Sequence, residues 1–245
     1  MRKLRHLDLF SGIGGFALGL ERAGGFETVA FCEIEPYCQA VLKKHWPHVP
    51  IFPDIRELTA DAVGPVDIIT GGFPCQDISN AGQREGIKGK QSGLWSEFAR
   101  LIGEIRPRFT IVENVSALLG RGLGRVLGDI SALRYDAEWH CIPASAVGAP
   151  HERERVWIVG YAERQHDSRQ FIHRITHSPW AEARLGKLVR VSCPEVRRQA
   201  VPGFGRMDDG LPPRVDRLRG LGNAVVPQIP EIIGRAILEA EGWKP

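Results

Sequence analysis

Short apolar runs alternate with longer amphipathic segments over the first 160 residues of the chain. A run of four to six apolar or β-branched residues bounded by turn residues predicts a buried strand, and apolar residues spaced three or four apart predict a helix. The predicted strands are 7–10, 28–32, 66–70, 109–112, 137–142 and 156–160. The predicted helices are 16–23, 36–45, 94–105 and 228–240. Strands that alternate with helices favour an α/β fold, a mainly parallel sheet with helices on both faces.

The alternation stops after Tyr161. Residues 162–210 are polar, basic and interrupted by prolines, with no clear period. A stretch of this length is too long to be a simple loop inside a compact domain, so we predict a small, irregular recognition region there. The chain then divides into a main domain over 1–161, the recognition region over 162–210, and a segment over 211–245 that returns to the main domain.

The distribution of charge along the sequence is more informative about function than the net charge of +3. Residues 161–200 contain eight arginines and lysines against four carboxylates, and three histidines lie among them. An arginine-rich excess of this kind suits a nucleic-acid phosphate backbone. A solvated surface without any partner is the alternative that composition leaves open.

The cysteines and the beginning of the chain exclude several other classes. Five cysteines with no C-x-x-C pair argue against a disulfide framework and against a zinc site, so no metal is predicted. There is no run of eighteen apolar residues, so we expect no membrane span. Because Asp8 interrupts the apolar stretch near the start, we expect no signal peptide and a cytoplasmic location.

A glycine-rich turn follows the first predicted strand. Asp8-Leu9-Phe10 leads into Ser11-Gly12-Ile13-Gly14-Gly15 and then into a helix. Glycines let a ligand approach the backbone and a helix N-terminus offers unpaired N–H groups, so the turn predicts a nucleotide-like ligand, although it lacks the G-x-G-x-x-G spacing. Glu33, with Glu35 as the near alternative, would bind ribose hydroxyls, and Asp54 would accept from an adenine amino group. A turn that binds no ligand remains the structural alternative.

A lone cysteine follows the predicted strand 66–70, in Gly71-Gly72-Phe73-Pro74-Cys75. Reacting groups of open α/β sheets collect at the carboxyl ends of strands, so Cys75 is a candidate nucleophile; a buried, inert cysteine is the alternative. Glu113 stands at the predicted end of another strand. Arg153 and Arg155 alternate at the start of a strand and therefore share one face. A helix cap and simple ion pairs are the structural alternatives for these residues.

Taken together, these segments resemble the motifs of the cytosine-C5 DNA methyltransferase family in order and spacing. The five matching segments are Asp8 to Phe16 (cofactor loop), Gly72 to Gln76 (Pro-Cys), Glu113-Asn114-Val115, Arg153-Glu154-Arg155, and Gly222 to Pro227. The resemblance covers roughly residues 4–161 and 213–241. It implies a Rossmann-like S-adenosylmethionine-dependent methyltransferase fold, with residues 1–161 as the catalytic and cofactor-binding domain.

The resemblance also implies a reaction. A methyl group of S-adenosylmethionine would pass to C5 of a cytosine flipped out of duplex DNA, leaving S-adenosylhomocysteine. Cys75, after Pro74, would attack C6; Glu113 would hold the N3/N4 edge, and Arg155, with Arg153 beside it, would face O2. The implied cofactor residues are Phe10, Gly12, Ile13, Gly14, Gly15, Glu33, Ile34, Asp54, Ile55, Leu94, Asn223 and Val225.

The implied macromolecular partner is double-stranded DNA. Residues 79–92 resemble the family's loop that closes over bound DNA, and its candidate DNA contacts are Ser79, Arg84, Lys88 and Lys90. A monomer is expected, with a cognate restriction endonuclease as a candidate partner. The chain departs from the family pattern at His151 and Ala224 and in its short recognition region, which resembles compact phage or prophage members.

Three alternatives stay open at this point. The first is methylation of RNA, since a transfer-RNA branch of the family shares these motifs. The second is a catalytically inactive DNA-binding protein, against which the intact Cys75, Glu113 and Arg155 argue. The third is a nicotinamide oxidoreductase on the same general fold, which has no use for Pro74-Cys75. The identity of the bound cofactor distinguishes the third alternative from a methyltransferase. A comparison of the wild type with Cys75→Ala distinguishes the second alternative from an active enzyme.

Overall fold

A computed structural model describes residues 2–74, 93–149, 151–162 and 224–243. Its centre is a seven-stranded sheet with the order β3-β2-β1-β4-β5-β7-β6. The strands are β1 (Leu4–Leu9), β2 (Phe26–Cys32), β3 (Ile51–Phe52), β4 (Ile68–Gly71), β5 (Phe109–Val115), β6 (Tyr135–Pro143) and β7 (Glu154–Ala162). The helices are α1 (Gly15–Ala23), α2 (Pro36–His45), α3 (Ala60–Val63), α4 (Leu94–Ile105), α5 (Leu118–Arg121), α6 (Leu123–Ala132) and α7 (Gln228–Ala240), with a 3₁₀ turn at Ala144–Val147.

The mainly parallel sheet is confirmed. Strands β3, β2, β1, β4 and β5 pair in parallel, so their carboxyl ends share one edge of the sheet. Strand β7 is antiparallel to both β5 and β6, so the beginning of β7 lies at that same edge, next to the end of β5. The edge therefore gathers the segments that follow β1, β2, β4 and β5 and the one that precedes β7.

Helices cover both faces of the sheet, as predicted. On one face α4 and α6 contribute Trp95, Phe98 and Val126 to a core shared with Leu7 and Leu9. On the other face, α1 and α7 pack over a second core. Its buried members from these two helices are Phe16, Leu20, Ile229, Ile233, Ile237 and Leu238.

Three helices have the predicted bounds because local signals mark their ends. Pro36 is the first residue of α2, a position where its missing N–H is no loss. Arg106, with a φ of 54°, ends α4 directly before Pro107. The predictions were incomplete elsewhere: β1 begins three residues earlier than predicted, β5 continues to Val115, and α6 had not been predicted.

The contact between α1 and α7 depends on Gly19. A Cβ atom there would lie 2.3 Å from the carbonyl oxygen of Pro227 and 2.8 Å from Cβ of Pro230. Backbone atoms can move away from such a contact only at a cost in stability. We therefore expect Gly19→Ala to lower the free energy of unfolding by about 1–3 kcal/mol. Chemical denaturation measures the change. Gly128→Ala in α6 is the matched control, because no heavy atom lies within 4 Å of its Cβ position. A Gly19→Ala variant as stable as the wild type would contradict the close packing.

Candidate active site

The segment between β1 and α1 is a tight loop at the carboxyl edge of the sheet. Phe10, Gly12 and Gly14 have positive φ values of 52°, 54° and 85°, a conformation that glycine adopts readily and phenylalanine rarely does. The position of Gly12 Cβ is open, whereas a Cβ on Gly15 would lie 2.5 Å from the carbonyl oxygen of Val225. Glycine at position 15 therefore lets the C-terminal segment lie directly against this loop.

Glu33 joins the end of β2 to the loop. Its carboxylate accepts hydrogen bonds from the backbone N–H of Gly12, at 2.6 Å, and of Glu35, at 2.8 Å. Glu33 is buried, while Glu35 is exposed. Of the two carboxylates considered from the sequence, Glu33 is thus the one held at the glycine loop. Ile34 between them is 63% exposed, which leaves a large apolar side chain uncovered beside the loop.

Asp54 follows β3, whose Phe52 carbonyl accepts a hydrogen bond from the N–H of Glu33. The Asp54 carboxylate pairs with Arg56, with 2.5 Å between Oδ2 and Nη2. Hydrogen bonds from Arg56 lower the pKa of Asp54. An adenine amino group at this carboxylate would share it with Arg56, a partner that was not predicted from the sequence.

The remaining described members of the predicted cofactor set lie around the same loop. Phe10 stacks on Phe98 of α4, with 6.5 Å between ring centroids. Ile55 is buried, and Phe10 and Leu94 are partly buried against the same apolar core. Ile13 is partly exposed on the loop. Asn223 lies outside the described residues.

Glu113 and Arg155 form an ion pair across neighbouring strands. Arg155 Nε lies 3.1 Å from Glu113 Oε1, because β5 and β7 place Val115 opposite Arg155 and Glu113 opposite Trp157. Burial raises the pKa of Glu113, although the positive charges of Arg155 and Arg153 oppose the shift. Glu113 lies inside β5 rather than at its end, two residues before Val115, and Arg153 precedes β7 by one residue.

The segment that leads to Cys75 passes directly beside Glu113. A Cβ atom on Gly72 would lie 2.9 Å from Glu113 Oε2, so the absence of a side chain permits this approach. The Asn114 side-chain amide donates to the carbonyl of Phe73 at 3.1 Å and so fixes the segment to β5. This role of Asn114 was not predicted from the sequence; the position of Asn114 between Glu113 and Val115 was the available signal.

Pro74 is the last described residue before a gap in the described ranges. Cys75 follows it directly in the chain and lies outside the described residues, as do Ser79, Arg84, Lys88 and Lys90. The predicted recognition region also lies outside them, apart from Ala162 at its start. Within the described ranges, no group of three or more His, Cys, Asp or Glu side chains could bind a metal ion, and no helix is long and apolar enough to cross a membrane.

A glycine loop with a strand-end carboxylate, a Gly-Phe-Pro segment and a Glu–Arg pair thus share one edge of the sheet. The model of the C-5 cytosine-specific DNA methylase family matches residues 4–194. The chain belongs to this family. The family resemblance inferred from the motifs is thereby confirmed.

Relatives of this chain are named as type II methyltransferases. The type II methyltransferase M.DsaV of Dactylococcopsis salina is 34% identical over 167 residues, which are 66% of this chain and 47% of the relative. The type II methyltransferase M2.BsuMI of Bacillus subtilis is 37% identical over 164 residues, 64% of this chain and 41% of the relative. The chain therefore spans less than half the length of these two relatives.

Solved structures confirm the predicted Rossmann-like methyltransferase fold. A protein described as a DNA modification methyltransferase from an E. coli prophage is 28% identical with a TM-score of 0.56, over 66% of this chain and 47% of that one. The S. pombe Dnmt2 methyltransferase is 21% identical with a TM-score of 0.57, over 67% of this chain and 53% of that one. The second likeness concerns the fold alone.

Proposed function

We propose that this DNA methylase transfers a methyl group from S-adenosylmethionine to C5 of cytosine in duplex DNA, with S-adenosylhomocysteine as the second product. The observation that carries the proposal is the approach of the segment before Cys75 to the Glu113–Arg155 pair, at the sheet edge that also holds the glycine loop. Family membership and the type II methyltransferase relatives support the same reaction.

The glycine loop fits an adenosine-bearing cofactor. The open position at Gly12 admits a ligand close to the backbone, and the Glu33 carboxylate beside it can accept from ribose hydroxyls. The exposed Ile34 offers an apolar surface for the adenine ring, and Asp54 lies within the same group of strand ends. Bound S-adenosylmethionine would supply an electrophilic methyl group on a sulfonium. Val225 would close the pocket from the C-terminal side.

Cys75, Glu113 and Arg155 would carry out the chemistry on the cytosine. C5 of cytosine is a poor nucleophile, so covalent addition divides one difficult step into easier ones. The Cys75 thiolate forms a bond to C6, and the displaced π electrons make C5 an enamine-like carbon that takes the methyl group. Transfer of the C5 proton to solvent then restores the C5–C6 double bond as the C6–sulfur bond breaks, which returns the electron pair to Cys75.

Glu113 and Arg155 would stabilise the charge that develops on the ring. Because burial raises the pKa of Glu113, its carboxyl holds a proton to a higher pH than an exposed glutamate does. A protonated carboxyl can donate at N3 as the ring gains electrons, and the Arg155 guanidinium can bind O2. Asn114 would keep Phe73, and with it the approach to Cys75, in place against Glu113.

DNA contacts and specificity belong to segments outside the described residues. We expect Ser79, Arg84, Lys88 and Lys90 to bind the DNA backbone near the flipped base, and residues 162–210 to form the target-recognition region. We also expect a monomer, and a cognate restriction endonuclease is a candidate partner because the relatives are named as type II methyltransferases.

Replacement of Glu33 by alanine is expected to raise the dissociation constant for S-adenosylhomocysteine about ten- to a hundredfold, because hydrogen bonds to a charged group contribute roughly 1.5–3 kcal/mol. The loss combines the contact to the ribose with the anchor of Gly12. Isothermal titration calorimetry measures the change. Glu35→Ala is the matched control, since that exposed side chain lies outside the loop. An unchanged isotherm for Glu33→Ala, or an equal loss in both variants, would contradict the ribose role.

The direct test of the function is transfer of a labelled methyl group from S-adenosylmethionine to mixed-sequence duplex DNA, followed by sequencing that maps 5-methylcytosine. We expect 5-methylcytosine in a fixed sequence context. Label on RNA but not on DNA would favour the transfer-RNA branch instead. Cofactor binding without transfer to either nucleic acid would contradict the proposal.

A further inference from the structure

A chain of buried polar side chains crosses the sheet directly beneath the proposed site. His6 Nδ1 lies 3.2 Å from Thr28 Oγ1, and His6 Nε2 lies 2.7 Å from Thr70 Oγ1. Thr70 Oγ1 donates in turn to Asp8 Oδ1 at 2.9 Å. The four side chains are at most 4% exposed. Four connected polar groups inside a sheet are uncommon enough to need a reason, because each would be destabilising without its partner.

Sheet register creates this chain. Strand β1 pairs with β2 at His6 and Thr28, and with β4 at Asp8 and Thr70. His6 and Asp8 are two residues apart and therefore point to the same face of β1. Thr28, His6, Thr70 and Asp8 thus link three adjacent strands, and two of those strands end in the cofactor loop and in the segment before Cys75.

The donors and acceptors along the chain have one consistent direction. Since the Thr70 hydroxyl donates to Asp8, Thr70 Oγ1 must accept from His6 Nε2–H, and His6 Nδ1 must accept from the Thr28 hydroxyl. Burial lowers the pKa of His6 to about 3, so the ring is neutral, as this arrangement requires. Burial also raises the pKa of Asp8, and a proton on its other oxygen would leave the direction unchanged.

Two members of this hydrogen-bonded chain, Asp8 and Thr70, are connected to the proposed chemistry. The Asp8 carbonyl accepts from Ser11 Oγ at 2.6 Å, within the glycine loop. Thr70 precedes Gly71, where a Cβ atom would lie 2.5 Å from the carbonyl oxygen of Leu9, and then Gly72 beside Glu113. The backbone of Ala17 in α1 also hydrogen-bonds to the Asp8 carboxyl, and Thr70 provides its side-chain hydrogen bond, at Oδ1. Among the described residues, Asp8 Oδ2 has no hydrogen-bond partner.

We propose that His6 and Thr70 are positioning residues for methyl transfer: their hydrogen bonds hold Asp8 at the start of the cofactor loop in fixed register with the segment Gly71 to Pro74 that leads to Cys75. The proposal rests on the proposed function of that site. A change in either bond alters the separation between the methyl donor and the cytosine carbon that receives the methyl group, on which the rate depends steeply. Such a change therefore lowers kcat more than it weakens the binding of either substrate.

Three threonine variants separate hydrogen bonding from packing. Thr70→Val keeps the shape and removes the hydroxyl, and Thr70→Ser keeps the hydroxyl and removes a methyl group. Thr110→Val is the matched control, because Thr110 is equally buried one strand away, and its hydroxyl has no hydrogen-bond partner among the described residues. We expect Thr70→Val to lower kcat about tenfold or more, the effect of roughly one unsatisfied buried group, with the KM for DNA changed less than about twofold.

The outcomes of this comparison are distinct. Thr70→Ser should keep kcat within about threefold of the wild type, and Thr110→Val should be indistinguishable from it, since neither breaks the chain. Melting temperatures recorded beside the rates identify any loss that is due to unfolding. A Thr70→Val enzyme with wild-type kcat, or a larger loss in Thr70→Ser than in Thr70→Val, would overturn the proposal in favour of simple packing.

A second measurement examines the hydrogen-bonded chain in the wild-type protein and does not depend on an activity assay. Long-range ¹H–¹⁵N correlation spectra report the tautomer and protonation of each histidine. We expect the His6 ring to be the neutral Nε2–H tautomer throughout the pH range from about 5.5 to 8, because its pKa lies far below that of an exposed histidine. An Nδ1–H tautomer of His6, or titration of His6 near the pKa of an exposed histidine, would contradict the proposed chain of hydrogen bonds. If the wild-type protein transferred no methyl group to cytosine, the proposed function would fail. The histidine spectra would still show whether the hydrogen-bonded chain through His6 exists.

Discussion

Replacement of Cys75 by alanine is expected to abolish methyl transfer, with a rate loss of at least about a thousandfold, and to leave cofactor binding unchanged. Without the thiolate no bond to C6 can form, so C5 never gains the electron density that takes the methyl group, and the loss of a covalent nucleophile is among the largest single effects in enzymes. The cofactor residues lie mainly after other strands, so the dissociation constant for S-adenosylhomocysteine should stay within about twofold of the wild type.

Cys141→Ser is the matched control for this variant. Cys141 is a partly exposed cysteine on β6, and burial raises the pKa of its thiol, which disfavours the reactive thiolate. Its replacement should leave transfer intact. Measurable turnover by Cys75→Ala, or loss of transfer in Cys141→Ser alone, would remove Cys75 from the nucleophile role and revive the possibility of an inert structural cysteine.

Replacement of Glu113 by glutamine is expected to lower the rate of methyl transfer by a factor of about 10² to 10⁴, the range for loss of a general acid. Glutamine keeps the volume of the side chain beside Gly72 but can neither release nor regain a proton at the ring. The raised pKa of Glu113 also has a pH consequence: the protonated form is the donor, so the wild-type rate should fall as pH rises through that pKa. Single-turnover rates across pH measure both effects.

Glu138→Gln provides the control for Glu113→Gln. Burial raises the pKa of Glu138 as well, but this carboxyl lies on β6 opposite Val159, four residues beyond Arg155 along β7. The Glu138→Gln enzyme should keep the wild-type rate and pH profile. If Glu113→Gln retained the rate, or if both variants lost it equally, a general contribution to folding would replace the proposed acid role.

The parts of the fold that were predictable from the sequence are those with strong local signals. Pro36 and Pro107 mark helix ends through their own covalent geometry, so α2 and α4 could be placed to the residue. Helix α6 was missed because Gly124 and Gly128 dilute its pattern, although Val126 and Ile130 are buried at helical spacing. The antiparallel direction of β7 could not be predicted, because the apolar pattern of a buried strand is the same whether it pairs in parallel or antiparallel.

The candidate site divides in the same way. The location of Glu33 at the glycine loop could be predicted because strand ends in open α/β sheets converge. Glu113 was singled out by its motif, and it lies inside β5 rather than at the predicted strand end. The catalytic and cofactor roles of both residues stay predictions. The pairing of Asp54 with Arg56, and the Asn114 hydrogen bond to Phe73, depend on side-chain conformations that no pattern specifies. The polar chain from Thr28 to Asp8 depends on strand register across more than sixty residues, so it became visible only in the folded structure.

The most direct test of the account is mass spectrometry of the protein after reaction with S-adenosylmethionine and duplex DNA that carries 5-fluorocytosine in the methylated context. Fluorine cannot leave C5 as the proton does, so elimination is blocked and the bond between Cys75 and C6 persists. We expect a one-to-one covalent complex whose mass includes the transferred methyl group, with the attachment on the peptide that contains Cys75. Methylation of ordinary DNA without any adduct on the fluorinated duplex, or an adduct on another cysteine, would contradict the role of Cys75 as the nucleophile.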